Sequence, residues 1–527
     1  MAPSENLKNI VIVGGGTAGW LAAGIIAAEH IANGSESDGL IDIKVTLVES
    51  PDISTIGVGE GTWPSMRSTL QKMGISETDL IRDCDASFKQ GTLFKSWKTG
   101  GNDAYTHPFT PPHSYASTNL APQWQKFSNE VSFAEAVSSQ NALMFKDLAP
   151  KQISTPEYAF HTNYGYHLDA GKFAELLRKH CVGKLGVTHL KANVVSVNSS
   201  ADGDIASLKT DSHGDISGDL FVDCSGSRAL LLGEHFGVPF CSKGQFLFND
   251  TALASQIPYV NADDPIASST LSTAQTAGWI WDIGLPTRRG IGHVYSSGHT
   301  TEDRAAQELL AYITATVSPE AAASASIRKV PFSPGHRAKF WHKNCVAVGM
   351  SAGFIEPLEA SALVLVELSA AMIAEQLPAN RQIMDVVAKR FNEKFLYRWD
   401  RIIDFLKLHY ILSQRQDSDY WKDNISSSSV PDNLSELVKL WRWQAPWHRD
   451  TGHIDEMFPS ASYQYVLYGM GFVTQDSTTV RRSDREAHSV AEGLFRENAE
   501  RTKKLLASMP TNRELIGKIT NYGLQKI

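Results

Sequence analysis

The stretch Asn9–Gly19, NIVIVGGGTAG, decides the fold. NIVIV is a short β-branched apolar run, the pattern of a parallel strand buried on both faces. Gly14, Gly16 and Gly19 then fit G-x-G-x-x-G, a helical run WLAAGIIAAEHIA follows, and a second strand, IDIKVTLVES, carries Glu49 near its end. In that order each glycine has a task. Gly14 permits a tight turn, Gly16 lets the backbone approach a pyrophosphate, and Gly19 lets helix and strand pack closely. The first helical turn, with Thr17 and Ala18, offers N–H groups to the phosphates. Glu49 is placed to accept hydrogen bonds from ribose hydroxyls, which favours FAD or NAD over a 2′-phosphorylated cofactor. It lies further on than the ~20 residues usual for this motif, and the polar insert Asn33–Gly39 accounts for the excess as an enlarged surface loop.

Two later segments choose FAD. FVDCSGSRA (Phe221–Ala229) reads as a strand ending in a small-residue turn, after a Gly- and Asp-rich meander. VAVGMSAGFIEPLEASA (Val346–Ala362) reads as another strand, glycine turn and helix. A plain nicotinamide dehydrogenase does not explain glycine-tipped strands so far downstream. The order resembles the flavin monooxygenases related to aromatic hydroxylases, and implies an α/β, Rossmann-like FAD-binding fold with an additional β-sheet. Val194 and Met350 join the glycines and Glu49 as expected cofactor contacts.

The rest of the composition narrows the class. The 527 residues suffice for one large or two ordinary domains, and the 42% hydrophobic and 20% charged content is that of a globular protein. A net charge of −8 with no dense basic run argues against nucleic acid or an anionic membrane as partner. The five scattered cysteines lack metal-binding spacing, so a reducing compartment and no structural metal are expected. The longest apolar stretch, SALVLVELSAAMIAE, is interrupted by Glu367 and too short to span a bilayer comfortably. With no basic-then-apolar leader at the N-terminus, a cytoplasmic location is expected.

Further segments, taken together, make the chain resemble the flavin-dependent halogenases, the family of tryptophan halogenases and related indole, pyrrole and phenol halogenases. These are STIGVGEGTWPSM (Ser54–Met66), DASFKQGTLFKSW (Asp85–Trp97), GYHLDAGKFAELL (Gly165–Leu177), FIEPLEASA (Phe354–Ala362) and DFLKLHYILSQRQDSDYW (Asp404–Trp421). The first resembles the family's strap between flavin and halogenation chamber. AGWIWDIGL (Ala277–Leu285) matches the family's W-x-W-x-I-P, with Gly284 in place of proline.

The resemblance implies a two-component enzyme: a flavin reductase supplies reduced FAD, and oxygen and a halide ion (chloride or bromide) yield hypohalous acid. That oxidant reaches a lysine beside the organic substrate through a tunnel. The catalytic lysine falls on Lys89, where a compact amine on a flexible stem can form a haloamine or hold hypohalous acid by hydrogen bond. Lys95 and Lys98 serve for comparison, as lysines of a helical run that are ordinarily solvated. Glu359 falls where the family has a carboxylate that stabilises and deprotonates the cationic ring. Glu356 better suits an acid complementing a helix N-terminus. The halide site falls on Ser361 and Ala362. This chain reads Glu359-Ala360-Ser361-Ala362 where tryptophan-specific members read E-S-T-G, a change expected to favour bromide.

For substrate, His107 and Phe109 stand where the family sandwiches the ring, although His107 before Pro108 also suits a turn. Tyr463 and Tyr465, on a stretch compatible with helix or strand, are expected to add a further aromatic wall. Residues Arg442–Met457 are rich in tryptophan and lack the lid pattern that grips an amino acid's charged ends. The expected substrate is therefore an electron-rich aromatic, an indole or phenol less polar and larger than free tryptophan, and Trp443 and Trp447 are candidates for its entrance. The rival function is an FAD-dependent aromatic hydroxylase, which has no use for a remote lysine. Trp279 and Trp281 fall where the family's tryptophan pair walls the tunnel, and as alternating residues of a strand they share a face with Ile283, opposite Ile280 and Asp282. The turn PTRRG predicts a hairpin to RGIGHVYSS. By sequence the chain divides into a core with the halogenation chamber, 1–376, and a mostly helical region, 377–527, that completes the substrate site.

Overall fold

The computed structural model describes residues 6–30, 43–53, 59–450, 452–453, 456–475 and 481–526. The insert Asn33–Gly39 and the first five residues of the strap segment, 54–58, lie outside the described residues. The chain packs as two compact units that interleave along the sequence. One comprises Met1–Ala86, Leu168–Lys243 and Ser333–Trp399, and the other Ser87–His167, Gly244–Phe332 and Asp400–Ile527. Packing therefore does not follow the expected division at 376: the unit boundary falls inside the long helix Arg381–Ile411. Beyond residue 376 the described elements are helical.

The first unit is built on a six-stranded sheet in the order Trp341–His342, Cys345–Ala347, Leu220–Asp223, Asn9–Val13, Lys44–Glu49, Thr188–Lys191. All pairings are parallel except that of the Trp341–His342 edge. Asn9–Val13 is central, with Ile12 opposite Leu47 on one side and Val222 on the other. Burial on both faces explains why its sequence is continuously apolar rather than alternating. The helices Thr17–His30 and Ser361–Glu375 are apolar nearly all round, as burial within a layered α/β unit requires. The Gly- and Asp-rich meander is a three-stranded antiparallel sheet of Val194–Ser199, Ile205–Thr210 and Asp215–Ser217.

The second unit carries a seven-stranded sheet, ordered Arg328–Pro331, Thr251–Pro258, Arg288–Tyr295, Gly278–Gly284, Thr270–Gln275, Gly91–Lys95, Ala104–Pro108. Only the Thr270–Gln275 and Gly91–Lys95 pair is parallel. The predicted hairpin forms, closing from Gly284 opposite Arg289 to Gly278 opposite Tyr295. The helix Glu302–Thr316 covers one face, burying Ala305, Leu309 and Ile313 against Leu253, Ile257, Ile280 and Ile291. The segment Ser462–Phe472, open to either reading in sequence, is mostly helical: Ser460–Gly469 is a helix.

Candidate active site

Within the first unit a cavity of about 350 Å³ opens where strand Asn9–Val13 meets its helix, lined by Gly14–Ala18, Glu49, Val194, Cys224, Gly349 and Met350 among others. The glycines divide by role. A Cβ on Gly14, whose φ is +120°, would lie 2.2 Å from the Cys224 carbonyl oxygen, and one on Gly19 would lie 1.8 Å from that of Gly14. Both positions are closed to any side chain by backbone. A Cβ on Gly16 would meet nothing within 4 Å. Its missing side chain leaves room in the cavity instead, at the end of a helix whose first N–H groups face outward, which is the provision a pyrophosphate needs. Thr17 Oγ1 donates to the Ala170 carbonyl at 3.3 Å, fixing the helix start.

Glu49 lines the cavity from the end of its strand, and its Oε2 lies 2.6 Å from His189 Nε2 on the neighbouring strand. His189 has no motif around it, so only the register of the two strands reveals it as the group orienting Glu49. Asp223, fully buried, ends the next strand and accepts from the N–H groups of Ser225, Leu231 and Leu232 at 2.8–3.0 Å. Burial pushes its carboxyl upward, against those hydrogen bonds. It staples the small-residue turn that carries Cys224 to the π-helical turn behind it.

The same cavity is lined further on by Phe354, Ile355, Ser361, Ala362 and Leu363. Ser361 begins the 15-residue helix Ser361–Glu375, and the residue before it, Ala360, holds a left-handed backbone at φ +53°. Glu359 is 4% exposed, and its carbonyl oxygen accepts the indole N–H of Trp63 at 2.7 Å. Glu356 is likewise buried. Glu60, at the cavity wall, and Glu367, one face of the same helix, are both pushed up to about 7 by burial. Glu367 also accepts from Ser65 Oγ at 3.2 Å and Thr69 Oγ1 at 2.7 Å.

The second unit holds Lys89. It lies not on a helix, as the lysine run suggested, but at the end of a short strand, Ser87–Lys89, and Lys95 ends the strand Gly91–Lys95. Gly91, with φ +153° and the His107 carbonyl 2.3 Å from its would-be Cβ, turns the chain between them. The strand is buried on both faces, and Lys89 is only 1% exposed, with Nζ 5.5 Å from the centroid of the Phe109 ring. Strand pairing sets Lys89 opposite Gly165 and Ser87 opposite His167, so Lys89 and His167 share a face. Burial first, and the Lys89 ammonium second, hold His167 well below the ordinary imidazole range.

His107 belongs to the strand Ala104–Pro108, not to a turn, and its Nε2 lies 2.9 Å from Ser462 Oγ. Around it stand Phe405 at 5.6 Å and Tyr465 at 6.1 Å between ring centroids, with Phe405 stacked on Phe458 and edge-on to Tyr463. Tyr463 and Tyr465, two apart on a helix, point to different neighbours: Tyr465 donates to the Thr110 carbonyl, while Tyr463 packs on Trp441. Sequence reasoning missed Phe405 and Phe458. It also missed Gln90, which follows Lys89 and accepts at Oε1 from Thr162 at 2.7 Å while donating to the Leu148 carbonyl. Trp443 is 58% exposed, and Trp447 packs edge-on to Tyr115.

Trp279 and Trp281 share a face of their strand, 6.4 Å apart by ring centroid. Trp279 is fully buried and packs towards Trp97, whose ring also meets Trp421 and Tyr410. On the opposite face Ile280 joins the helix-covered core, and Asp282 is paired with Arg289 and accepts from the Tyr312 hydroxyl at 3.0 Å. Among the described residues no cluster of three or more His, Cys, Asp or Glu could hold a metal ion, and no helix is long and apolar enough to cross a membrane.

A parallel sheet with a glycine-lined dinucleotide cavity, in one chain with a buried lysine among aromatic rings, defines a flavoenzyme acting on an aromatic compound. Comparison with known proteins gives the family. The family model described as tryptophan halogenase matches residues 9–485. The crystal structure of a tryptophan halogenase from Shewanella frigidimarina is 52% identical with a TM-score of 0.95, covering 99% of each chain. The tryptophan 6-halogenase SttH of Streptomyces toxytricini is 32% identical over 533 residues, 97% of this chain and 98% of that protein. BrvH, a flavin-dependent halogenase from Brevundimonas, is 30% identical with a TM-score of 0.83, covering 97% and 99%. The chain belongs to the tryptophan halogenase family and is a flavin-dependent halogenase, with the FAD-binding fold of these relatives.

Proposed function

We propose that the protein halogenates an indole-type ring with hypohalous acid held at Lys89, drawing reduced FAD from a separate reductase. The observation that carries this reading is the burial of Lys89 to 1% exposure over the Phe109 ring, in the unit that also gathers His107, Phe405, Tyr463 and Tyr465. A hydroxylase has no task for such a lysine.

Residues Gly14–Ala18 with Glu49, Val194 and Met350 would hold FAD, whose reduced form supplies the electrons that, with oxygen and halide, yield hypohalous acid. Ser361 and Ala362 would hold the halide on helix N–H groups, where a weakly bound anion is free to leave. Lys89 Nζ donates a hydrogen bond to the oxygen of hypohalous acid and so polarises the halogen–oxygen bond. The ring's π pair forms the carbon–halogen bond as the halogen–oxygen bond breaks, and the oxygen departs as water with a proton from Lys89. Glu359 then takes the ring proton and restores aromaticity. Trp279 and Trp281 act as a wall that passes the small oxidant and excludes the ring.

Five curated relatives are named for tryptophan; the Arg442–Met457 stretch lacks the lid pattern, so we place indole ahead of free tryptophan, and Glu359-Ala360-Ser361-Ala362 in place of E-S-T-G leads us to place bromide ahead of chloride. The test is one set of incubations with FAD, a reductase, NADH, equimolar bromide and chloride, and indole or tryptophan, read by mass spectrometry. Brominated indole that disappears in Lys89→Ala supports the reading. An added oxygen in place of halogen, or halogenation that survives Lys89→Ala, overturns it.

A further inference from the structure

The residues expected to hold halide and to take the ring proton sit on a loop that is strained and externally braced. Ala360, between Glu359 and Ser361, has φ +53°, a conformation that costs any residue with a Cβ and persists only where neighbours over-determine it. Within the loop, the Ala360 N–H donates to the Pro357 carbonyl at 3.0 Å. From outside it, the Trp63 indole N–H donates to the Glu359 carbonyl oxygen at 2.7 Å. That carbonyl belongs to the peptide joining Glu359 to Ala360, so the bond fixes the plane from which the left-handed residue turns. The brace is itself anchored: two and six residues further on, Ser65 and Thr69 donate to Glu367 on the helix that Ala360 opens. Three hydrogen bonds thus tie the Trp63–Thr69 segment to both the N-cap loop and the second turn of the helix Ser361–Glu375.

We propose that Trp63 is a positioning residue for the halide: its N–H holds the Glu359–Ala360 peptide so that the Ser361 and Ala362 N–H groups converge on the ion. The proposal rests on the halide reading of Ser361 and Ala362 above. Removing the indole N–H frees the peptide to rotate, spreads those donors, and weakens halide capture without touching the glycine-lined end of the cavity. The loss of one hydrogen bond corresponds to roughly a three- to tenfold effect.

The experiment measures the halide KM, kcat and the ratio of hydrogen peroxide released to product formed, in wild type, Trp63→Phe and Ala362→Asp, with FAD binding followed by flavin fluorescence. Ala362→Asp puts a fixed anion into the halide's place, so an unchanged halide KM there refutes the halide reading itself, whatever Trp63 does. If Ala362→Asp raises the halide KM, Trp63→Phe is expected to raise it about three- to tenfold and to release more peroxide per product, with FAD affinity and kcat at saturating halide near wild type. An unchanged halide KM in Trp63→Phe would overturn the proposal. Should Trp63→Phe fold poorly, benzothienylalanine at position 63 keeps the ring's shape and lacks only the N–H, and the same two outcomes apply.

Discussion

Trp281 lies against Gly292: a Cβ built on that glycine would come within 2.1 Å of the indole's Cζ2. Their strands are neighbours in the seven-stranded sheet, and Trp281 and Gly292 are directly paired in the register. The flat face of β-strand backbone at Gly292 is what the indole rests on. Gly292→Ala should therefore push Trp281 off its site and cost about 1–3 kcal/mol in unfolding free energy. The check is a urea titration of wild type and variant, together with their product spectra; the reading of the pair as a wall predicts more oxidant lost to solvent in the variant.

Gly16 and Gly19 should part company under mutation. Gly16→Val meets no protein atom at its Cβ, so the variant should fold with a normal melting temperature and lose FAD affinity. Gly19→Ala collides with the Gly14 carbonyl and should lower the melting temperature whether or not FAD is present. Calorimetry with and without FAD separates the two.

Lys89→Met should abolish halogenated product and leave the protein as stable as before, or more so. An apolar side chain of similar length replaces a buried ammonium and removes the cost of keeping that charge out of water. Product assay and melting temperature, taken on one preparation, are sufficient; a large fall in melting temperature would mean that Lys89 is structural.

Glu367 gives a pH prediction. Its carboxyl is raised to about 7 in the folded chain by burial, against 4.5 for a free side chain. The folded state therefore holds the proton more tightly, and this group's stabilising contribution is complete below pH 4.5 and lost as pH rises to about 7. Glu367→Gln, which stays neutral, should remove that part of the decline and be the more stable form at pH 8, by up to about 3 kcal/mol. Unfolding curves of both proteins at pH 5 and pH 8 test the sign: a variant that declines as steeply as wild type contradicts it.

The sequence was most legible where one local rule governs. The strand, glycine turn and helix from Asn9 onward, and the hairpin at Gly284 and Arg289, follow from periodicity and turn chemistry alone. Lys89 was placed by resemblance, and its helix was wrong because Gly91, at φ +153°, breaks the run into two strands. His189 beside Glu49, Asp282 with Arg289 and Tyr312, and Trp63 beneath Glu359 were not legible. Each is a single residue whose partner is fixed by register or packing and not by spacing. The interleaved units were equally hidden, since no change of composition marks their edges.

That interleaving dictates an order of assembly. In the cofactor sheet Phe221–Asp223 pairs with Cys345–Ala347, and every strand from Thr251 to Pro331 of the other unit lies between them in the chain. A ribosome releases residues from the N-terminus onward, so the dinucleotide sheet waits, two strands short, until the neighbouring sheet's strands from Thr251 to Pro331 have been synthesised. Long-range parallel closure of this kind is slow. The nascent chain must keep an unfinished Rossmann edge shielded from the synthesis of Asp223 until that of Cys345, and cofactor added early would find only part of its cavity.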